Sequence, residues 1–235
     1  MKKLVIAIDG PSGAGKGTVA RTLSEHLGYR HIDTGAMYRA VAWKAGHEGL
    51  PLDDESAVAA LATRATLIVE GGVVSIDGHD VTSTIRTPEI DKAAAAVARL
   101  PRVREVLVRR QRDEGRNGGV VMEGRDIGTV VFPDAEVKVY LDASPEERAR
   151  RRANDPAHTG SRVGQAAVAE AIQARDKSDT TRAVSPLTLA PDAVHIDTTN
   201  LPIPAVVERV LALISSRYSL QPTPDRAPSD GGPDR

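Results

Sequence analysis

The segment Gly10-Pro11-Ser12-Gly13-Ala14-Gly15-Lys16 is the strongest fold signal in this chain. It fits the pattern G-x-x-x-x-G-K, and its flanks supply the structural context that the pattern requires. Leu4 to Ile8 form an apolar, β-branched run typical of a buried strand, and Thr18 to Leu27 carry apolar residues at helical spacing before Gly28. Strand, glycine-rich turn and helix in this order predict a phosphate-binding loop, or P-loop.

The chemistry of this loop predicts an ATP site. Backbone N–H groups and the amino end of the helix attract the phosphates, and Lys16 reaches the β and γ oxygens. The predicted ATP-binding residues are Gly10, Pro11, Ser12, Gly13, Ala14, Gly15, Lys16, Gly17 and Thr18. A flexible loop that happens to contain a lysine is the alternative, and it leaves the flanking strand and helix unexplained.

The residue after Lys16 bears on metal binding. It is Gly17, and the hydroxyl comes one position later at Thr18. GTPases use a hydroxyl directly after the lysine as a Mg²⁺ ligand. The order GKGT at residues 15–18 instead resembles the nucleoside monophosphate kinases, which implies that Mg²⁺ is held mainly by the ATP phosphates and water, and we assign no protein metal ligand.

The rest of the chain predicts an α/β fold of the P-loop NTPase type, with three layers around a central parallel sheet. Further strands are predicted at residues 31–32, 120–122, 137–141 and 193–196, and helices at 35–45, 89–100, 101–115 and 204–216. From Thr66, short β-branched runs are separated by Gly71-Gly72 and by Asp77-Gly78, which are hairpin signals. They predict a small antiparallel insert.

Composition excludes several classes of protein. No apolar run approaches the ~20 residues of a membrane span, and there are no cysteines for a disulfide framework or a thiolate site. A net charge of −1 and an aromatic content of 3% argue against binding of a nucleic acid polymer. We expect a cytoplasmic protein that binds small molecules and not membranes.

Four further segments carry a resemblance to a known family. They are DTGAMYR at 33–39, RVRE at 102–105, EGRDIGTVVFPDA at 123–135 and RDKSDTTRAVSPL at 175–187. With the P-loop, in this order and spacing, the chain resembles the bacterial cytidylate kinases, which are nucleoside monophosphate kinases. The resemblance covers most of residues 4–217 and implies transfer of a phosphoryl group from ATP to CMP or dCMP.

The resemblance also implies a domain organisation. We expect one kinase domain over residues 1–217, with an insert that binds the nucleoside monophosphate (NMP) at about 34–100 and a mobile lid at about 150–165. The proline- and glycine-rich segment 218–235 has no apolar anchors, so we expect a disordered tail. We expect a monomer.

By the same resemblance, several residues acquire roles at an acceptor site. Lys16, Arg125 and Arg182 are the expected catalytic residues, and Arg39, Arg125 and Arg182 the expected phosphate clamps. The other expected acceptor contacts are Thr34 near the nucleotide, Arg104 and Asp126 at the base, and Arg175 and Asp179 at the sugar. A carboxylate suits cytosine because it accepts from an amino group and not from the carbonyl of uracil. The alternative for Asp126 is a structural carboxylate that holds the adjacent Arg125.

Residues 148–152 leave two interpretations open. Arg148, Arg151 and Arg152 lie at i, i+3 and i+4 on one predicted helix face. They either belong to the lid and stabilise transferred charge, or form a solvated basic face with i,i+4 pairs to Glu147.

Other functions remain as alternatives. The same fold could act on UMP or AMP, and Ala95 stands where related enzymes often have a serine near the base, which weakens the expected selectivity. A nucleotide-gated switch is disfavoured because the guanine-reading Asn-Lys-x-Asp is absent. Small-metabolite kinases such as shikimate kinase share the P-loop but lack the GRDIGTVVFPDA block.

Overall fold

The structure is a computed structural model that describes residues 3–155 and 164–218. The strands within this part of the chain are β1 (Val5–Asp9), β2 (Arg30–Asp33), β3 (Leu67–Glu70), β4 (Val73–Ile76), β5 (His79–Asp80), β6 (Val120–Gly124), β7 (Val137–Asp142) and β8 (Val194–Asp197). The helices are α1 (Lys16–Leu27), α2 (Thr34–His47), α3 (Glu55–Arg64), α4 (Pro88–Val97), α5 (Pro101–Gly115), α6 (Pro145–Ala153), α7 (Gln165–Thr181) and α8 (Ile203–Arg217). A single π-helical turn covers Ile127–Val131.

The central sheet has five strands in the order β2-β6-β1-β7-β8, and all of its pairings are parallel. Strand β1 is buried throughout, and its side chains alternate between two apolar cores. Val5 and Ala7 pack in the core that includes α2, α3 and α5, whereas Ile6 and Ile8 pack in the core that includes α1 and α8. Helices therefore cover both faces, and the predicted three-layer fold is confirmed.

The predicted antiparallel insert is also present. Strands β3, β4 and β5 form a three-stranded antiparallel sheet, with Leu67 opposite Ile76 and Glu70 opposite Val73. Both predicted turns, Gly71-Gly72 and Asp77-Gly78, have positive φ angles. The buried side chains of β4 join the core on the α2 side, which attaches the insert to the central sheet.

Helix boundaries follow from capping groups that act locally. The Asp33 carboxylate accepts from the backbone N–H of Ala36 at 3.0 Å, so α2 begins at Thr34, one residue before the predicted start. The Ser144 hydroxyl accepts from the backbone N–H of Glu147 and caps α6, which begins at Pro145. Helix α4 ends at Val97, three residues before the predicted end, because the chain must turn before Pro101 begins α5.

The sequence did not predict every helix of the structure, and parts of the predicted lid and tail lie outside the described residues. Helices α3 and α7 and the π-helical turn were missed. Of the predicted lid, residues 156–163 lie outside the described residues, and of the predicted tail only Tyr218 lies within them. In the described ranges no helix is both long enough and apolar enough to cross a membrane.

The parallel sheet determines where a ligand site can form. Strands β1, β2 and β6 end side by side, with Asp9 paired to Gly124 and Asp33 to Glu123. The P-loop follows β1, Thr34 follows β2, and Arg125-Asp126 follow β6. In open parallel sheets ligands bind outside the carboxyl ends of the strands. The predicted donor and acceptor residues therefore meet at the edge of the sheet where such folds place their ligands.

Candidate active site

The P-loop has a backbone that only glycine fits at two points. Gly10 has a φ of +146°, and a Cβ there would lie 1.9 Å from the carbonyl oxygen of Leu141. Gly13 has a φ of +79°, and its Cβ would lie 2.7 Å from the backbone oxygen of Arg148. The loop is thus pressed against β7 and α6 and leads into α1 at Lys16. This geometry matches the predicted anion cradle.

Lys16 is buried, and its Nζ donates a hydrogen bond to the Pro11 carbonyl at 2.7 Å. Burial, together with the positive charge of Arg125, lowers the pKa of this ammonium group to about 7, against the opposing effect of Glu123 and Asp9. A cation in this position is poorly stabilised by the protein alone. An anionic ligand next to it would restore its charge.

On the acceptor side, guanidinium and carboxylate groups alternate in one connected network. Asp126 pairs with Arg104 at 2.5 Å and with Arg182 at 3.6 Å. Asp179 lies 2.9 Å from Arg125, 3.1 Å from Arg175 and 3.7 Å from Arg182. Arg182 belongs to both groups and joins them. We call these six residues, Arg104, Arg125, Asp126, Arg175, Asp179 and Arg182, the arginine–aspartate network.

The charges in this network do not balance. Four guanidinium groups share two carboxylates, which leaves two positive charges in excess. Although burial opposes it, the guanidinium groups of Arg125, Arg175 and Arg182 hold the pKa of Asp179 below its ordinary value, so the carboxylate stays ionised. Nη2 of Arg182 and Nε of Arg104 are buried and make no hydrogen bond within the protein. Unused donors and excess charge together suit a bound dianion.

The structure separates the two interpretations of Asp126. A structural role in holding Arg125 would require a pair between these neighbours, but Asp126 pairs with Arg104 and Arg182 while Arg125 pairs with Asp179. The Arg104 guanidinium also lies over the Tyr38 ring, 5.4 Å from its centroid. Asp126 and Arg104 therefore lie together, and their role at the base stays a prediction.

Thr34 and Arg39 lie in the first two turns of α2, directly after the neighbouring strand β2. The Thr34 hydroxyl donates to the Glu123 carbonyl at 2.7 Å, which places it beside the strand that leads to Arg125. Arg39 pairs with Asp33 at 2.7 Å and has no ion pair with the arginine–aspartate network. Its buried Nε makes no hydrogen bond within the protein. The structure thus brings six of the eight predicted acceptor residues into one network and leaves Thr34 and Arg39 outside it.

The three predicted lid arginines reach three different partners. Arg148 donates to the Ser12 carbonyl of the P-loop at 3.1 Å and pairs with Asp176 of α7 at 2.5 Å. Arg151 donates to the Thr198 hydroxyl at 2.9 Å and pairs with Glu147 at 2.8 Å, which is the expected i,i+4 pair. Arg152 pairs with Asp91 of α4. The predicted basic face is therefore divided among three contacts. Arg148 contacts the P-loop, Arg151 contacts Thr198 directly after β8, and Arg152 contacts α4.

Sequence reasoning missed several polar residues at this edge of the sheet. The Asp9 carboxylate accepts from the backbone N–H groups of Ile127 and Gly128 at 2.8 and 2.7 Å. Burial raises the pKa of Asp9 to about 6, against the lowering effect of these two hydrogen bonds. Glu123 pairs with His31 at 3.1 Å. An acidic residue at the end of an otherwise apolar strand was the signal for Asp9.

The described residues supply few candidate ligands for a metal ion. Among residues 3–155 and 164–218 there is no group of three or more His, Asp or Glu side chains that could hold a metal. A Cβ at Gly17 would lie 3.0 Å from Oε1 of Glu123, so one carboxylate does border the P-loop. Mg²⁺ commonly keeps several waters and binds through few carboxylates plus substrate phosphates. These residues fit a metal ion that enters with the triphosphate.

The buried network predicts a measurable effect on stability. We expect Asp179→Asn to lower the free energy of unfolding by about 3 kcal/mol, because the variant leaves buried guanidinium groups without their shared anion. Glu105→Gln is the control, since Glu105 and Arg109 form an ion pair in which both side chains are 71% exposed. It should change stability by less than about 0.5 kcal/mol.

Urea unfolding measures both variants. Equally small changes in the free energy of unfolding for the two variants would contradict the burial of Asp179 and its ion pairs with Arg125, Arg175 and Arg182.

Comparison with known proteins identifies the family. The family model described as Cytidylate kinase matches residues 6–216. Cytidylate kinase of Pelotomaculum thermopropionicum is 53% identical over 90% of this chain and 96% of its own length. Cytidylate kinase of Solibacter usitatus is 47% identical over 93% of this chain and 95% of its own length. An uncharacterized protein of Eubacterium ventriosum shares the fold, with a TM-score of 0.50 and 12% identity over 92% of this chain and all of its own. The chain belongs to the cytidylate kinase family.

Proposed function

We propose that this protein is an ATP-dependent kinase that converts CMP or dCMP to the corresponding diphosphate and releases ADP. The observation that carries the proposal is the arginine–aspartate network with its two unbalanced positive charges, which lies beside the P-loop lysine. Family membership and the names of the relatives support the same activity.

ATP binds at the P-loop in this proposal. The loop N–H groups and Lys16 take the phosphates, and the triphosphate in turn stabilises the lysine in its charged form. Bound Mg²⁺ would neutralise phosphate charge, with Glu123 as a carboxylate that borders the loop at Gly17. The protein's own part in transfer is to place the two nucleotides and to stabilise charge.

The acceptor binds in the arginine–aspartate network. Arg125 and Arg182 hold its phosphate, and Arg39 approaches from the end of β2. Arg104 and Asp126 read the base, since a carboxylate accepts a hydrogen bond from the amino group of cytosine but meets a carbonyl in uracil. Arg175 and Asp179 contact the sugar, and Thr34 borders the nucleotide.

Residues 148–152 serve the donor side in this account. Arg148 holds the Ser12 carbonyl of the P-loop. A Cβ at Gly15 would lie 3.7 Å from Nη1 of Arg151, so Arg151 is close enough to add positive charge near the loop. Closure of residues 150–165 over the phosphates would exclude water and favour transfer over hydrolysis. We further propose that the protein acts as a cytoplasmic monomer with one kinase domain over residues 1–217.

A nucleotide panel tests the proposal. Purified protein with Mg-ATP is assayed for ADP release in the presence of CMP, dCMP, UMP, AMP or GMP. We expect CMP and dCMP to give the largest kcat/KM. A preference for UMP or AMP would assign the same fold to another acceptor, and ATP binding without transfer to any monophosphate would indicate a nucleotide-gated switch.

Asp126→Asn tests the reading of the base. An asparagine side chain can accept from cytosine or donate to uracil, so the ratio of kcat/KM for CMP to that for UMP should fall by roughly 10- to 100-fold, about 1–3 kcal/mol. Most of this fall should come from a lower kcat/KM for CMP. Equal losses with the two substrates would give Asp126 a structural role only.

Lys16 should take up a proton when ATP binds. Its pKa is about 7 in the free protein, and the phosphates raise it towards its ordinary range, so at about pH 8.5 uptake should approach one proton per ATP. Lys16→Arg is the control, because its guanidinium is already charged at this pH.

Calorimetric titration in buffers of different ionisation enthalpy measures the uptake. Equal uptake by wild type and Lys16→Arg would place the titrating group elsewhere.

A further inference from the structure

The turn that follows Asp126 begins in an unusual way. Asp126 immediately precedes the π-helical turn Ile127–Val131, where an aspartate commonly caps the first free N–H groups with its own carboxylate. Here that carboxylate makes no cap. It forms ion pairs with Arg104 and Arg182 instead.

A different residue supplies the missing acceptor. The two oxygens of the Asp9 carboxylate accept separately from the N–H groups of Ile127 and Gly128, from a position 118 residues earlier in the chain. Asp9, Ile127 and Gly128 are all buried, so these N–H groups have no ready alternative in water. The fit is close, since a Cβ at Gly128 would lie 3.4 Å from Oδ2 of Asp9 and 3.2 Å from Cδ of Lys138.

We propose that Asp9 is a positioning residue for selection of the acceptor base. By capping the turn after Asp126, it leaves the Asp126 carboxylate with Arg104 and Arg182, where the proposed function places the acceptor base. Asp9 also directly precedes Gly10, the first residue of the P-loop, so one side chain connects the donor loop to the base reader. This inference rests on the proposed function, and it adds a selectivity residue that does not itself touch either nucleotide.

Replacement of Asp9 should therefore change selectivity through Asp126. In Asp9→Asn, one oxygen becomes an amide NH₂ and meets a backbone N–H, so one of the two caps is lost. The Asp126 carboxylate then turns towards the uncapped N–H group and away from the base. We expect the ratio of kcat/KM for CMP to that for UMP to fall about tenfold, the effect of one hydrogen bond.

A double-mutant cycle distinguishes positioning from a general effect on the P-loop. In the Asp126→Asn background, Asp9→Asn should change the CMP-to-UMP ratio by less than about twofold, because the group that it positions is already altered. Asp53→Asn, at an exposed residue outside the arginine–aspartate network, is the matched control and should leave the ratio unchanged. Circular dichroism and thermal melting establish that each variant is folded.

Three results would overturn the inference. The first is an unchanged ratio in Asp9→Asn, including the case in which only KM for ATP or kcat for both acceptors changes. The second is an equal fall of the ratio in the wild-type and Asp126→Asn backgrounds. If Asp9→Asn does not fold, Gly128→Ala disturbs the same contact from the side of the turn. The third result that would overturn the inference is then an unchanged CMP-to-UMP ratio in Gly128→Ala. A wild-type protein that does not prefer CMP to UMP would instead contradict the proposed function.

Discussion

The excess of positive charge in a buried cluster is the constraint on which this site depends. Like charges repel strongly where water cannot screen them, and Asp126 and Asp179 lie between the four guanidinium groups and offset this repulsion. Two carboxylates hold the groups in place without cancelling their charge. This arrangement is the one that the proposed phosphate site requires, because a bound phosphate would balance the remaining positive charge.

The fold supplies this arrangement from distant parts of the chain. Strand β6 delivers Arg125 and Asp126, α5 delivers Arg104, and α7 together with the residue that follows it delivers Arg175, Asp179 and Arg182. Helix α7 also reaches the donor side, since its Asp176 pairs with Arg148, which holds the Ser12 carbonyl. Donor and acceptor sites therefore share structural supports, as a reaction that requires two nucleotides in line demands.

Sequence patterns predicted the parts of the structure that depend on local order. The strand, P-loop and helix, the parallel sheet and the antiparallel insert follow from periodicity and turn residues, and the motifs named six residues that form one network. The pairing within that network could not be predicted, because it joins α5, β6 and α7 through tertiary packing. For the same reason Asp9 was missed, and the single basic face predicted for Arg148, Arg151 and Arg152 divides among three partners.

A crystal structure with CMP and a non-hydrolysable ATP analogue would show whether the arginine–aspartate network binds the acceptor. We expect the CMP phosphate on Arg125 and Arg182, the cytosine amino group within hydrogen-bonding distance of Asp126, and the terminal phosphate of the analogue at Lys16. A CMP phosphate bound away from the arginine–aspartate network, with Arg125 and Arg182 still paired only to aspartates, would contradict the proposed acceptor site.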